Sequence, residues 1–218
     1  MRQVLTLFIS TFTTLLAIVN PFEALPIFLK LLQGEDDADR RQIARLSCLY
    51  AALLLYFFLF FGELVLKIFG VPLSMVRIVG GIILCRVGFE LFGGSASSAS
   101  LLAPAPGAAK GNLAFVPLAM PIMCGPGAIA TTLGMTSLIR NPQFQLFPLL
   151  AIVCAISACM LVTYLCLVNA HRILGRIGPR GIDAVTRIVG FFLSAVGMGL
   201  VFHGVIEGLR ANGVLTMH

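Results

Sequence analysis

The chain is 218 residues long and 59% hydrophobic, with only 11% charged residues against about 25% in soluble domains. That balance excludes a soluble globule, and a mean hydropathy of +1.02 fits a surface solvated by lipid. The net charge of +6 is scattered between apolar runs with no basic stripe, which excludes nucleic acid as a partner and makes the charge topological.

Apolar stretches of spanning length fall near 4–32, 46–69, 73–93, 113–139, 146–169 and 185–208, predicting an all-α membrane protein with six transmembrane helices. The first run stays apolar from Arg2 to about Leu32 and lacks a small-residue cleavage site. It is therefore a retained span rather than a secretory signal. Between the third and fourth spans, Ser95, Ser97, Ser98 and Ser100 lead into Pro104, Pro106 and Gly107. This small-residue stretch divides the chain into a first three-helix repeat (1–93), a linker (94–112) and a second three-helix repeat (113–218). Loop cations sort into Lys30, Arg40, Arg41, Arg45, Lys110, Arg172, Arg176 and Arg180 on one side, with Arg2, Lys67, Arg140 and Arg210 on the other. The richer side is cytoplasmic, so both termini are expected in the periplasm.

The halves echo one another. Arg77-Ile78-Val79-Gly80 in the third span recurs 110 residues later as Arg187-Ile188-Val189-Gly190, and a Val-Gly pair follows each (Val87-Gly88, Val196-Gly197). Asn20-Pro21 in the first span is answered 105 residues later by Gly125-Pro126. A duplicated unit with an odd number of spans must enter the membrane from the opposite side, so these are inverted repeats with broken first and fourth helices. Proline removes an amide donor and disfavours helix in the residue before it, while Asn and Gly suit the N-cap and Pro the first helical position. Each motif thus reads as a helix restarting within the bilayer. Two such half-helices would aim free amides at the midplane, an arrangement that attracts a carboxylate. Simple proline kinks are the structural alternative. Pro26 and Pro121 fall in the same two spans and suggest extended unwound stretches.

The candidate substrate-binding residues are accordingly Asn20, Pro21, Glu23, Gly125, Pro126, Gly127 and Thr131. Thr11, Thr13, Thr14 and Thr132 are nearby polar groups, each of which is read first as helix-packing glue. Glu23 occupies the N3 position after Asn20, where it serves either a capping box or a coupling-ion or proton site. It would repel a substrate carboxylate unless protonated, turned away or bound to the substrate amine. Arg86 and Glu90 are four apart and are read as a structural pair, as are Glu63 and Lys67. Arg77 and Arg187 are read as snorkelling anchors, and His203 with Glu207, again four apart, as interface residues first and a proton relay second. The cysteines, Cys48, Cys85, Cys124, Cys154, Cys159 and Cys166, have no CxxC pair or neighbouring His, so no metal site and no resident cofactor are expected. No HExxH or GxSxG motif occurs and no catalytic residue is assigned, so no enzyme is predicted.

The segments Asn20-Pro21-Phe22-Glu23-Ala24-Leu25-Pro26-Ile27-Phe28, Ala114 through Pro121, and Gly125-Pro126-Gly127-Ala128-Ile129 resemble the MarC family of integral membrane proteins, also called UPF0056. The resemblance extends over essentially the whole chain and implies a multi-pass protein of the bacterial inner (plasma) membrane. One branch of that family is described as neutral amino acid transporters, which implies a small-molecule solute, amino acids first, moved by alternating access. Where those members carry Asn-Pro-x-Gly-x-x-Pro, this chain has Glu23 in the glycine place. Coupling to protons or sodium is open, as is a homo-oligomer through small-residue faces such as Gly80-Gly81 and Gly197 to Gly199. The rival reading is a non-transporting membrane scaffold or stress-response protein.

Overall fold

The computed structural model describes residues 2–93, 113–136 and 146–214, all helical or in short turns. The expected linker 94–112, with Lys110, and the loop cation Arg140 lie outside the described residues. Helix α1 (Arg2–Val19) passes through Asn20 into α2 (Pro21–Leu31), followed by α3 (Asp37–Phe69) and α4 (Leu73–Gly93). After the undescribed stretch, an irregular wide-turn segment (Ala114–Met123) leads into α5 (Pro126–Thr136), then α6 (Leu146–Val168) and α7 (Ala170–Ala211).

Local chemistry sets the boundaries. Asp37 and Asp39 occupy the first turn of α3, where acidic side chains complement the helix dipole. The helix ends in a Schellman arrangement: Gly70 takes φ +63°, its amide donates to the Lys67 carbonyl, and the Val71 amide donates to Leu66. Only glycine adopts that backbone without steric cost. α7 is interrupted at Gly178, φ +73°, so its apolar portion is Arg180–Ala211.

Two packing units make the interior. In the first, α1, α2, α3, the irregular segment and α6 bury Leu15, Leu25, Phe28, Ile43, Leu55, Leu118, Met123, Ile152 and Ile156 against one another. Tyr56 ties α3 to α6, its hydroxyl 2.6 Å from that of Ser157 and donating to the Val153 carbonyl. The second unit is the pairing of α4 with α7, made close by glycine. A Cβ placed on Gly81 would lie 2.5 Å from the Gly197 carbonyl oxygen, and one on Gly88 would lie 2.6 Å from that of Gly190. Gly204 faces the Ser74 carbonyl in the same way. Each step of seven along α4 is a step of seven backward along α7, so the helices run antiparallel with a regular seam. Close approach of this kind lets dispersion contacts accumulate where lipid gives no hydrophobic drive for helix association. The small-residue faces around Gly81 and Gly197 are thus used within the chain.

The outside is apolar. Phe57, Phe60, Phe61, Phe89, Phe191 and Phe202 are all exposed, a surface suited to hydrocarbon rather than water. α3, α6 and Arg180–Ala211 are each long and apolar enough to cross a membrane. The bent pairs Val4–Val19 with Ala24–Leu31 and Ala114–Met123 with Pro126–Met135 bring the total to as many as five. α4 has 21 residues but carries Arg77, Arg86 and Glu90. Among the described residues, three to five spans therefore meet the length and composition of a membrane crossing, and α4, the remaining one of the expected six, does not meet them by itself.

Candidate functional site

The two breaks differ. At the first, the chain bends 48° at Asn20, which takes the left-handed conformation (φ 39°, ψ 75°), a region open to Asn because its short amide tolerates it. The Asn20 amide donates to Leu16 and its carbonyl accepts from Ala24, so helical bonding runs almost unbroken across the bend. The Asn20 half of the capping-box reading is not formed: its backbone is left-handed and its side chain makes no capping hydrogen bond. The side chain of Glu23 lies outside the described set. Pro26 also departs from expectation, sitting inside helical α2. Its fixed φ is already helical, and burial of Leu25 and Phe28 on either side holds the turn together.

The second break is the deeper one. Val116 and Met120 are extended (φ −118°, ψ 121° and φ −134°, ψ 126°), and each precedes a cis proline, Pro117 and Pro121. The chain then turns 61° and restarts at Gly125, whose carbonyl accepts from the Ile129 amide at 3.1 Å. Pro126 occupies the first helical position, as its missing donor and fixed φ favour. Behind this turn, α5 lies tight on its neighbours: Gly127 meets the Leu84 side chain, Gly80 meets Ala130, and Gly62 meets Leu133.

A cavity of about 190 Å³ lies at this restart. It is lined by Gly125, Pro126, Gly127 and Ala128 of the α5 turn, by Pro121 and Ile122, and by Ile18 and Ile27 flanking the first break. Ile83, Leu84, Val87 and Glu90 of α4 and Leu193 of α7 complete it. The candidates Gly125, Pro126 and Gly127 therefore share one cavity wall, whereas Asn20, Pro21 and Thr131 do not line it.

Asn20 and Thr131 have another distinction. Both are buried, at 1% and 5% exposure, and the Asn20 Oδ1 and Nδ2 and the Thr131 Oγ1 have no hydrogen-bond partner among the described residues. A buried polar atom left unpaired costs about 1–3 kcal/mol, and natural proteins keep few of them. Thr132, by contrast, donates to the Ala128 carbonyl at 2.8 Å, the local bonding expected of a helical threonine.

The charged pairs sort differently from their sequence reading. Arg86 and Glu90 do pair at 3.0 Å, with side chains 81% and 39% exposed. Glu63 and Lys67 pair at 3.1 Å. Arg77 is no snorkelling anchor: its guanidinium is mostly buried, pairs with Glu207 of α7 and donates to the Gly134 carbonyl near the end of α5 at 3.2 Å. Glu207 is thus taken by Arg77 rather than His203, whose ring nitrogen contacts the Gly199 carbonyl at 2.7 Å. Arg187, the repeat counterpart of Arg77, holds Asp183 at 2.9 Å. Arg40 meets His171 at 2.7 Å, which joins the first turn of α3 to the start of α7.

Sequence reading missed Glu90 as a cavity residue. The signal was its spacing: Ile83, Val87 and Glu90 follow one helical stripe, and that stripe faces the broken helices.

Residues 5–209 match the family described as MarC family integral membrane protein. A UPF0056 membrane protein of Methanocaldococcus jannaschii is 31% identical, covering 91% of this chain and 95% of its own length. One from Aquifex aeolicus is 33% identical, covering 96% and 97%. The UPF0056 inner membrane protein MarC of Salmonella paratyphi A is 30% identical, covering 90% and 92%. No solved structure matches the chain. The chain belongs to the MarC family and is a multi-pass integral membrane protein.

Proposed function

We propose that this protein is a secondary transporter of small zwitterionic metabolites, neutral amino acids first, working by alternating access. The observation that carries the reading is the cavity at the second break, where the first turn of a half-helix lines a small, otherwise apolar space. An N-terminal turn favours a carboxylate through its free amides and dipole, and broken helices at matching places in two repeats mark transport sites. A cavity of about 190 Å³ is below the size typical for drug-like ligands, about 300–1,000 Å³, and suits a solute of few atoms.

In this proposal α4 is the sixth span, and the halves are inverted repeats. The antiparallel α4–α7 seam supports that topology, since third helices of inverted repeats must run oppositely. Pairing of Arg77 with Glu207 and of Arg86 with Glu90 reduces the cost of carrying charge across the bilayer. Asn20 and Thr131, which lie outside the cavity wall in this conformation, serve as contacts for a coupling ion or for the solute in another state of the cycle, their unpaired atoms being the cost of that role.

The test is counterflow in proteoliposomes loaded with unlabelled amino acid, following labelled glycine, alanine, serine and threonine with and without proton and sodium gradients. Saturable exchange is expected for at least one of them, and gradient dependence would name the coupling ion. Monodisperse protein that exchanges none of the four overturns the reading in favour of a non-transporting scaffold.

A further inference from the structure

We propose that Glu90 is the specificity residue of this cavity, receiving the substrate ammonium group while the α5 turn receives the carboxylate; the inference rests on the transport reading above. Among the described side chains lining the cavity, Glu90 alone is ionisable. The remainder are aliphatic, glycine or proline, so the electrostatics of the space are set by two features of opposite sign: the amide end of α5 and this carboxylate. A simple anion would be drawn to one and repelled by the other, and a simple cation would meet the reverse. A zwitterion satisfies both, and in a site of low dielectric that discrimination is larger than in water.

The surroundings of Glu90 fit the role. It lines a second, open groove of about 490 Å³ with Ile82, Phe89, Met198 and Arg86, and so stands at the boundary between cavity and exterior. Arg86 Nε bonds the Glu90 Oε1 at 3.0 Å and does not line the inner cavity. It holds the carboxylate from outside. A carboxylate has about four acceptor sites, which leaves capacity for an ammonium on the cavity side.

The experiment measures binding of labelled alanine to purified protein, with competition by propanoate, which lacks the amine, and by ethylamine, which lacks the carboxylate. Wild type is expected to bind alanine and discriminate against both analogues. Glu90→Gln is expected to weaken alanine by about tenfold or more, the worth of one charge-assisted hydrogen bond, and to bind propanoate at least as well as wild type does. Such an inversion cannot come from misfolding, and Glu90→Asp should recover part of the alanine affinity. Wild type that binds alanine, with Glu90→Gln binding it equally, overturns the role of Glu90 and leaves transport standing. Glu90→Gln weakening all three ligands alike also overturns it. Wild type that binds neither alanine nor any other member of the amino acid panel overturns both readings.

Discussion

At the residue scale, the most telling atoms are those that bond to nothing. A threonine in a helix ordinarily returns its hydroxyl to the carbonyl four residues back, as Thr132 and Thr163 do, yet Thr131 beside them leaves Oγ1 unpaired while buried. Valine matches threonine in shape and removes the orphan. Thr131→Val is therefore expected to stabilise the protein by about 1 kcal/mol or more, read as a higher melting temperature in detergent, while lowering the rate or affinity of alanine exchange. Stability gained at the expense of function is the signature of a polar group retained for a ligand. A variant that melts higher and exchanges alanine as wild type does would make Thr131 a packing residue. Sequence alone placed Asn20 and Thr131 near the breaks but had no means of separating Thr131 from Thr132, since the distinction lies in which neighbour each hydroxyl finds.

At the scale of elements, the α4–α7 seam makes a sharper contrast than any single contact. Gly197 and Gly199 lie two apart on one helix and so point in different directions. A Cβ on Gly197 would meet the Cys85 amide nitrogen and the Gly81 carbonyl at 2.7 Å, both backbone atoms, whereas one on Gly199 would meet nothing within 4 Å. Backbone cannot move aside as a side chain end can. Gly197→Val should therefore force the helices apart and destabilise by about 3 kcal/mol or more, while Gly199→Ala should be neutral or gain about 0.5–1 kcal/mol from helix propensity. Thermal melting with size-exclusion profiles of the two variants checks this, and equal behaviour would contradict the seam. The repeated Arg-Ile-Val-Gly motif and its trailing glycines were legible in the sequence. That they meet each other was not, because a small-residue stripe serves equally well within or between chains. The second break was legible as an interruption, but not its extent. Each X-Pro pair restricts only its own neighbour, and two such pairs four residues apart spread the irregularity from Val116 to Met120.

For the whole molecule, the open quantity is how many times the chain crosses, and it turns on α4. Its three ionisable residues argue against a lipid-exposed span taken alone. All three charges are matched in ways that argue the other way: Arg77 is mostly buried against Glu207 and the α5 terminus, and Arg86 pairs with Glu90, which lines the inner cavity. The antiparallel seam with α7 runs from Ser74 opposite Gly204 to Gly88 opposite Gly190. At about 1.5 Å per residue, that is some 20 Å of shared length, most of a hydrocarbon core of about 30 Å. A helix bound along that length to Arg180–Ala211, which is apolar enough to cross, is carried across with it. Reporter fusions after Gly34, Gly70 and Gly93 are therefore expected to read cytoplasm, periplasm and cytoplasm, with the first and third on the side richer in Lys and Arg. A periplasmic reading after Gly93 would leave α4 on the outer surface, reduce the crossings to five and remove the inverted symmetry from which the substrate site was inferred. A cytoplasmic one would make the two arginines of the repeated motif equivalent in topology, with Arg77 at one membrane face and Arg187 at the other. Their unequal partners, Glu207 with the Gly134 carbonyl for Arg77 and Asp183 of its own helix with the Phe92 carbonyl of α4 at 3.5 Å for Arg187, would then mark one end of the molecule as latched across three helices by an interhelical ion pair and its repeat counterpart as joined across two by a longer hydrogen bond.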